Sequence, residues 1–72
     1  MKLGNRLKEL CLQKGFTQEA LAGAVRVTRQ TITAVEKGKH VPSVKLALEI
    51  AQVLGVSLED VFWLGDGKGG AV

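Results

Sequence analysis

Hydrophobic residues recur at helical spacing along most of the chain, and short polar corners interrupt them. At the start, Leu3, Leu7, Leu10 and Cys11 lie at positions i, i+4, i+7 and i+8. This spacing places all four side chains on one stripe of a helix, which we predict over residues 3–14. The stripe is expected to face the protein core.

The same spacing predicts four more helices, and no segment shows the alternation expected of a strand. These helices are expected over residues 18–25, 29–37, 44–54 and 58–63. The fourth helix of the chain is apolar around much of its circumference, so it should be the central one. Buried positions in the other three are expected at Leu21, Val25, Ile32, Val35, Leu58, Val61 and Phe62. The predicted fold class is therefore all-α, a compact domain of five short helices.

Three short phrases mark corners between these helices: KGFT at 14–17, VRVT at 25–28 and LGVS at 54–57. In each phrase, one residue takes the left-handed conformation just past a helix end, and a threonine or serine then caps the next helix. Two of the corners use glycine for this purpose, but the middle one has Arg26. We predict that Arg26 takes the left-handed conformation, at a cost of about 1 kcal/mol.

The length of the chain suits one small domain, which we assign to residues 1–64. The last residues, GDGKGGAV at 65–72, contain too much glycine to fold by themselves and are predicted to form a flexible tail. The apolar runs fall far below the roughly 18 residues that a membrane span needs. No apolar signal segment follows the N-terminal charges. A cytoplasmic protein without a membrane segment is expected.

Composition argues against several classes of function. A single cysteine and a single histidine provide neither an internal disulfide nor a set of metal ligands, so no metal or cofactor is expected. The sequence shows no paired carboxylates, activated nucleophile or phosphate-binding glycine loop that would indicate an enzyme. Aromatic residues make up only 4% of the chain, which is too few for the stacking platforms that bind RNA.

Positive charge is concentrated in the middle of the chain. The net charge is +3, but residues 26–45 carry five basic side chains against one acidic side chain. Residues 46–72 carry one basic side chain against four acidic ones. An anionic partner is therefore expected to approach the middle segment.

The outer face of the predicted third helix is unusual, because it carries Thr28, Arg29, Gln30, Thr31 and Thr33. Threonine is a mediocre helix former, so solvation alone gives no reason for this composition. The major groove of DNA admits one helix and displays base edges that differ in donors, acceptors and methyl groups. Arginine can bind guanine at two points, glutamine can bind adenine in the same way, and threonine offers a hydroxyl and a methyl group. This face is therefore predicted to read base pairs.

The chain resembles the phage-repressor and Cro-like helix-turn-helix family, in particular its short stand-alone members, over about residues 5–62. The elements that carry the resemblance are Gln18, Leu21-Ala22, Val27-Thr28, Ile32, Glu36, Gly38, Pro42-Ser43 and Leu54-Gly55-Val56-Ser57. The resemblance implies a repressor-like domain in which helices two and three form the helix-turn-helix. It also implies a sequence-specific transcriptional regulator, more often a repressor, that binds double-stranded DNA.

The resemblance assigns DNA contacts position by position. The base-contacting positions of the family match Arg29, Gln30, Thr33 and Ala34. Many relatives have a longer polar residue in place of the alanine, so Ala34 would offer only an apolar contact. Phosphate contacts are expected from Gln18, Arg26, Thr28, Thr31, Lys37, Lys39 and His40. For the last three of these, the alternative is a loop that is simply solvated.

Cys11 departs from the family, whose members often have an arginine there that pairs with the glutamate matching Glu36. Two outcomes are open for the glutamate. Either Lys14, Lys37, Lys39 or another basic residue replaces the arginine, or Glu36 is exposed. Cys11 itself is expected to be a small core residue.

Phe62, Trp63 and Leu64 form the last apolar cluster of the chain. Phe62 should be buried, whereas Trp63 and Leu64 either fold back onto helices one and four or form a homodimer contact. We expect a homodimer at least on DNA, because related repressors pair on near-palindromic sites with half-sites about one helical turn apart. The alternative function is a protein-interaction module, such as an antitoxin, that uses the same fold.

Overall fold

The computed structural model describes residues 2–65, which contain five helices and two short strands. In chain order these are β1 Leu3–Asn5, α1 Leu7–Lys14, α2 Gln18–Ala24, α3 Arg29–Glu36, α4 Val44–Leu54, α5 Leu58–Val61 and β2 Phe62–Leu64. The mostly helical fold with five helices is therefore confirmed. Apart from Gly65, the predicted tail lies outside the described residues.

The expectation that the chain has no strand is wrong, because β1 and β2 form an antiparallel ribbon. Its register pairs Leu3 with Leu64, Gly4 with Trp63 and Asn5 with Phe62. The ribbon joins segments at opposite ends of the chain, so local periodicity gives no sign of it. It also shortens two predicted helices, since α1 begins at residue 7 rather than 3 and α5 ends at residue 61 rather than 63.

The start of α1 is fixed by Asn5. Its side-chain Oδ1 accepts a hydrogen bond from the backbone N–H of Leu7 at 3.0 Å, and its Nδ2 donates to the carbonyl of Val35 at 3.0 Å. The helix therefore begins after the asparagine, and the same side chain ties β1 to α3. Leu3, predicted to lie on the stripe of α1, is instead half-buried in the ribbon.

Arg26 has a positive φ of 61°, which confirms the predicted left-handed corner between α2 and α3. Its backbone N–H donates to the carbonyl of Gly23 at 3.3 Å, and the N–H of Val27 donates to Ala22 at 2.9 Å. Next along the chain, the hydroxyl of Thr28 accepts from the N–H of Thr31 at 3.2 Å and so caps α3. The chain therefore leaves α2 and enters α3 within four residues.

One hydrophobic core holds the helices together, and α4 packs against α1, α2 and α5, as expected for a central helix. The fully buried side chains at its centre are Leu7, Leu21, Ile32, Val35, Ile50 and Val61. All of the buried positions predicted outside α1 and α4 are buried, except that Leu58 is half-buried. No helix within residues 2–65 is long and apolar enough to cross a bilayer.

Candidate nucleic-acid interface

Helices α2 and α3 pack closely and share one buried contact face. Leu21 of α2 and Ile32 and Val35 of α3 are at most 1% exposed. Ile32 and Val35 mark the inner side of α3, so the side chains that point away from them lie on its outer side. Arg29 and Gln30 are exposed there, in the first turn of the helix.

The remaining predicted base-contacting residues lie one turn further along α3. Thr33 and Ala34 are both half-exposed, so all four predicted base-contacting side chains of α3 have surface that solvent can reach. Thr28 and Thr31 lie at the start of the helix, where their hydroxyl oxygens are 3.0 Å apart. The sequence-based assignment of this face as an outer surface therefore agrees with the geometry.

Gln18, at the first position of α2, connects the two helices through its side-chain amide. Its Nε2 donates to Oε1 of Glu36 at 2.7 Å, and its Oε1 accepts a hydrogen bond from Oγ1 of Thr33 at 3.3 Å. A predicted phosphate-contacting residue and a predicted base-contacting residue are therefore part of one hydrogen-bonded chain. The sequence indicates Gln18 and Thr33 separately, and nothing in its local pattern predicts that the two side chains are connected.

The partner of Glu36 is none of the basic residues expected from the sequence. The amide of Gln18, and no basic side chain, contacts its carboxylate within residues 2–65. Its other oxygen, Oε2, is buried and has no hydrogen-bond partner within the same range. Cys11 is 3% exposed, and burial, together with the charge of Glu36, raises the pKa of its thiol. The cysteine is a core residue, as expected.

Basic side chains lie at both ends of α3. Arg26 is exposed at the corner before the helix, and Lys37, Lys39 and His40 are exposed after it. The ribbon brings Lys2 to the same surface depression as Lys37 and His40. The sequence does not predict that Lys2 belongs to this surface, because its position beside α3 depends on the pairing of β1 with β2.

An apolar groove lies at another part of the surface, between the ribbon and the start of α4. The residues that line it include Leu3, Val41, Val44, Leu58, Phe62, Trp63 and Leu64. Phe62 is buried as predicted, whereas Leu64 is 59% exposed and Val44 is 74% exposed. Trp63 is half-buried and packs against the backbone of Gly4 in β1, a strand that the sequence reasoning did not include.

Comparison with known proteins gives consistent matches. A helix-turn-helix family model matches residues 7–61. The chain is 52% identical over 60 residues to the uncharacterized HTH-type transcriptional regulator YgzD of Bacillus subtilis, a match that covers 83% of this chain and 91% of YgzD. It is also 52% identical over 58 residues to an uncharacterized HTH-type transcriptional regulator of Methanocaldococcus jannaschii, with 81% of this chain and 88% of the relative covered.

A solved structure supports the same fold. The clp gene regulator ClgR of Corynebacterium glutamicum superposes with a TM-score of 0.72 at 31% identity. The match covers 75% of this chain and 57% of the ClgR chain. The relatives are transcriptional regulators and not enzymes. These matches, which agree with the five helices and the left-handed corner, show that the chain belongs to the helix-turn-helix family of DNA-binding transcriptional regulators.

Proposed function

We propose that the protein is a sequence-specific regulator that reads double-stranded DNA with α3 in the major groove. The observation that carries this proposal is the exposure of Arg29 and Gln30 in the first turn of α3, whose opposite face is buried through Ile32 and Val35. A recognition helix needs this arrangement, because its N-terminal side chains meet the base edges while its inner face packs on the domain.

The roles of the four outer residues follow from their hydrogen-bonding groups. The guanidinium of Arg29 can donate to O6 and N7 of guanine, and the amide of Gln30 can bond N6 and N7 of adenine. Thr33 presents a hydroxyl and a methyl group one turn later. Ala34 contributes a methyl group alone, which suits the methyl group of thymine.

Phosphate contacts would fix the position of the helix without reading sequence. Gln18 begins α2, where the backbone N–H groups and the helix dipole favour an anion. Arg26 before α3, and Lys37, Lys39 and His40 after it, would contact the backbone on either side of the groove. Thr28 and Thr31 would add hydroxyl contacts at the start of α3, and Lys2 extends the same basic surface.

We also propose that the protein binds DNA as a homodimer through the apolar groove. The groove lining is almost entirely apolar, and exposed Val41, Val44 and Leu64 are part of it. A second copy would cover these side chains, and a two-fold pair would place two copies of α3 on successive turns of a near-palindromic site. Acting on DNA in the cytoplasm, such a dimer would repress transcription by occupying a site that the polymerase needs.

Selection of binding sites from a random library of duplex DNA tests this function. The expected result is a symmetric motif. Arg29→Ala and Gln30→Ala should each abolish the preference at a different position of the half-site. Lys8→Ala, which removes an exposed charge from α1, is the matched control and should return the wild-type motif. The proposal would be overturned by a library without enrichment, or by a motif that both α3 variants leave unchanged.

A further inference from the structure

The hydrogen-bonded chain from Thr33 through Gln18 to Glu36 has a fixed direction. A glutamine amide can be turned over without changing its shape, so its orientation must come from its partners. The carboxylate of Glu36 only accepts hydrogen bonds. The group of Gln18 that lies 2.7 Å from Oε1 of Glu36 is therefore the NH2 group.

This orientation determines which group of Gln18 faces Thr33. The amide oxygen Oε1 lies 3.3 Å from Oγ1 of Thr33, and an amide oxygen cannot donate. The hydroxyl of Thr33 must therefore supply the proton of that bond. A hydroxyl has one proton, so only lone pairs and the methyl group of Thr33 remain for the solvent-facing side.

We infer that Glu36 is a positioning residue that sets, through Gln18, the kind of base that Thr33 selects. This inference rests on the proposed function, since it assumes that α3 lies in the major groove. With its proton committed to Gln18, Thr33 can accept from the amino group of cytosine or adenine. It cannot donate to the oxygen of guanine or thymine. The base opposite Thr33 is therefore an amino base rather than a keto base.

The same geometry predicts what happens when the carboxylate is replaced by an amide. In Glu36→Gln the new side chain can either accept or donate, so Gln18 is free to turn over. The proton of Thr33 is then available for a keto base in part of the molecules. Because Oε2 has no hydrogen-bond partner within residues 2–65, the substitution breaks no other hydrogen bond of the carboxylate in that range.

The test is binding-site selection with the wild type and three variants, followed by titration of duplexes that differ at one base pair. Thr33→Val keeps the shape of the side chain and removes the hydroxyl, so the position that changes in its motif is the one that Thr33 reads. At that position the wild type should bind the amino base about 2- to 12-fold more tightly than the keto base, the range of one net hydrogen bond. Glu36→Gln should reduce this ratio to less than about 2-fold.

Gln18→Ala provides a second route, because it also releases the hydroxyl of Thr33. It should reduce the ratio at the same position, in addition to weakening binding to every duplex. Glu49→Gln is the matched control, since it converts a half-exposed carboxylate of α4 that pairs with Lys45. It should leave the motif unchanged.

The outcomes separate the two proposals. If the wild type enriches no motif, the proposed function itself fails. A wild-type motif in which Thr33→Val changes no position would overturn the role of the hydrogen-bonded chain, while DNA reading would stand. The same holds if Glu36→Gln and Gln18→Ala leave the preference at the Thr33 position intact.

Discussion

The indole of Trp63 lies against Gly4 so closely that a Cβ atom at position 4 would come within 2.7 Å of Cε2 and closer still to Nε1. The two residues are paired across the ribbon that joins β1 and β2. This contact anchors the first residues of the domain to its last strand, and it requires glycine because no other residue leaves room for the ring.

Gly4→Ala should therefore destabilise the domain by about 1–3 kcal/mol, the usual range for forcing an extra carbon into a packed site. Trp63 is the single tryptophan of the chain, so its fluorescence reports the displacement directly. Urea unfolding followed by fluorescence measures both effects. Gly23→Ala is the matched control, because nothing lies within 4 Å of a Cβ there and the residue is inside α2. That variant should be stabilised by about 0.5–1 kcal/mol, and equal destabilisation of the two variants would contradict the close packing.

Arg26 stores strain at the corner of the helix-turn-helix. Because its φ is 61°, Arg26→Gly should raise the free energy of unfolding by about 1 kcal/mol. The same substitution removes a positive charge beside α3, so it should weaken binding to DNA. Arg26→Ala keeps the strained conformation and loses the charge, and it should weaken binding without the gain in stability. Thermal denaturation and a DNA titration of both variants measure the two effects, and no gain in stability for the glycine variant would argue against the strained corner.

Asp60 should make stability depend on pH. Hydrogen bonds from the hydroxyl and backbone N–H of Ser57, and then the charge of Arg6, lower the pKa of its carboxyl group. A lowered pKa means that the folded state favours the carboxylate. The stabilisation is therefore present above the ordinary aspartate value of about 4 and is lost as the pH falls through the lowered one.

Asp60→Asn should accordingly have a lower Tm than the wild type at pH 7, and the difference should shrink as the pH is lowered below about 4. Circular dichroism during heating gives the Tm of the wild type and of the variant at each pH. Ser57→Ala removes the largest cause of the shift and should show a weaker form of the same pH dependence. A difference in Tm between Asp60→Asn and the wild type that is the same at pH 7 and below about pH 4 would contradict the role of the carboxylate.

Leu64 provides the sharpest test of the proposed dimer surface. Leu64→Glu puts a charge on the apolar groove and should raise the dimer dissociation constant by about 10-fold or more. Leu12→Glu is the matched control, because Leu12 is 72% exposed on α1 and does not line the groove. Sedimentation equilibrium measures the constant for both. A wild type that stays monomeric with and without DNA, or an equal effect of the two variants, would exclude this surface.

The parts of the structure that depend on neighbours in the chain are predictable from the sequence. The cap at Thr28 and the left-handed corner at Arg26 are local, and the predicted bounds of α4 equal the observed ones because its apolar pattern is continuous. The exposure of Arg29 and Gln30 follows from the helical spacing of Ile32 and Val35, the predicted buried residues of α3.

The remainder depends on contacts between distant segments. The ribbon joins Leu3 to Leu64, and three-residue strands are too short to show alternation. The partner of Glu36 lies 18 residues away, on a helix whose orientation is set by the corner at Arg26. Cys11 stands where relatives often have an arginine, so the sequence offers several basic residues as that partner and gives no sign of an amide.

Reading of bases by α3 is the central claim, and it is tested most directly by the affinity ratio between two duplexes that differ at the base pair assigned to Arg29. For the wild type this ratio should lie at about 5- to 150-fold, and Arg29→Ala should bring it close to one. Lys39→Ala, which removes a proposed phosphate contact, should weaken binding to both duplexes equally and reduce the salt slope by about 1, with the ratio unchanged. An Arg29→Ala protein that keeps the full wild-type ratio would contradict the account.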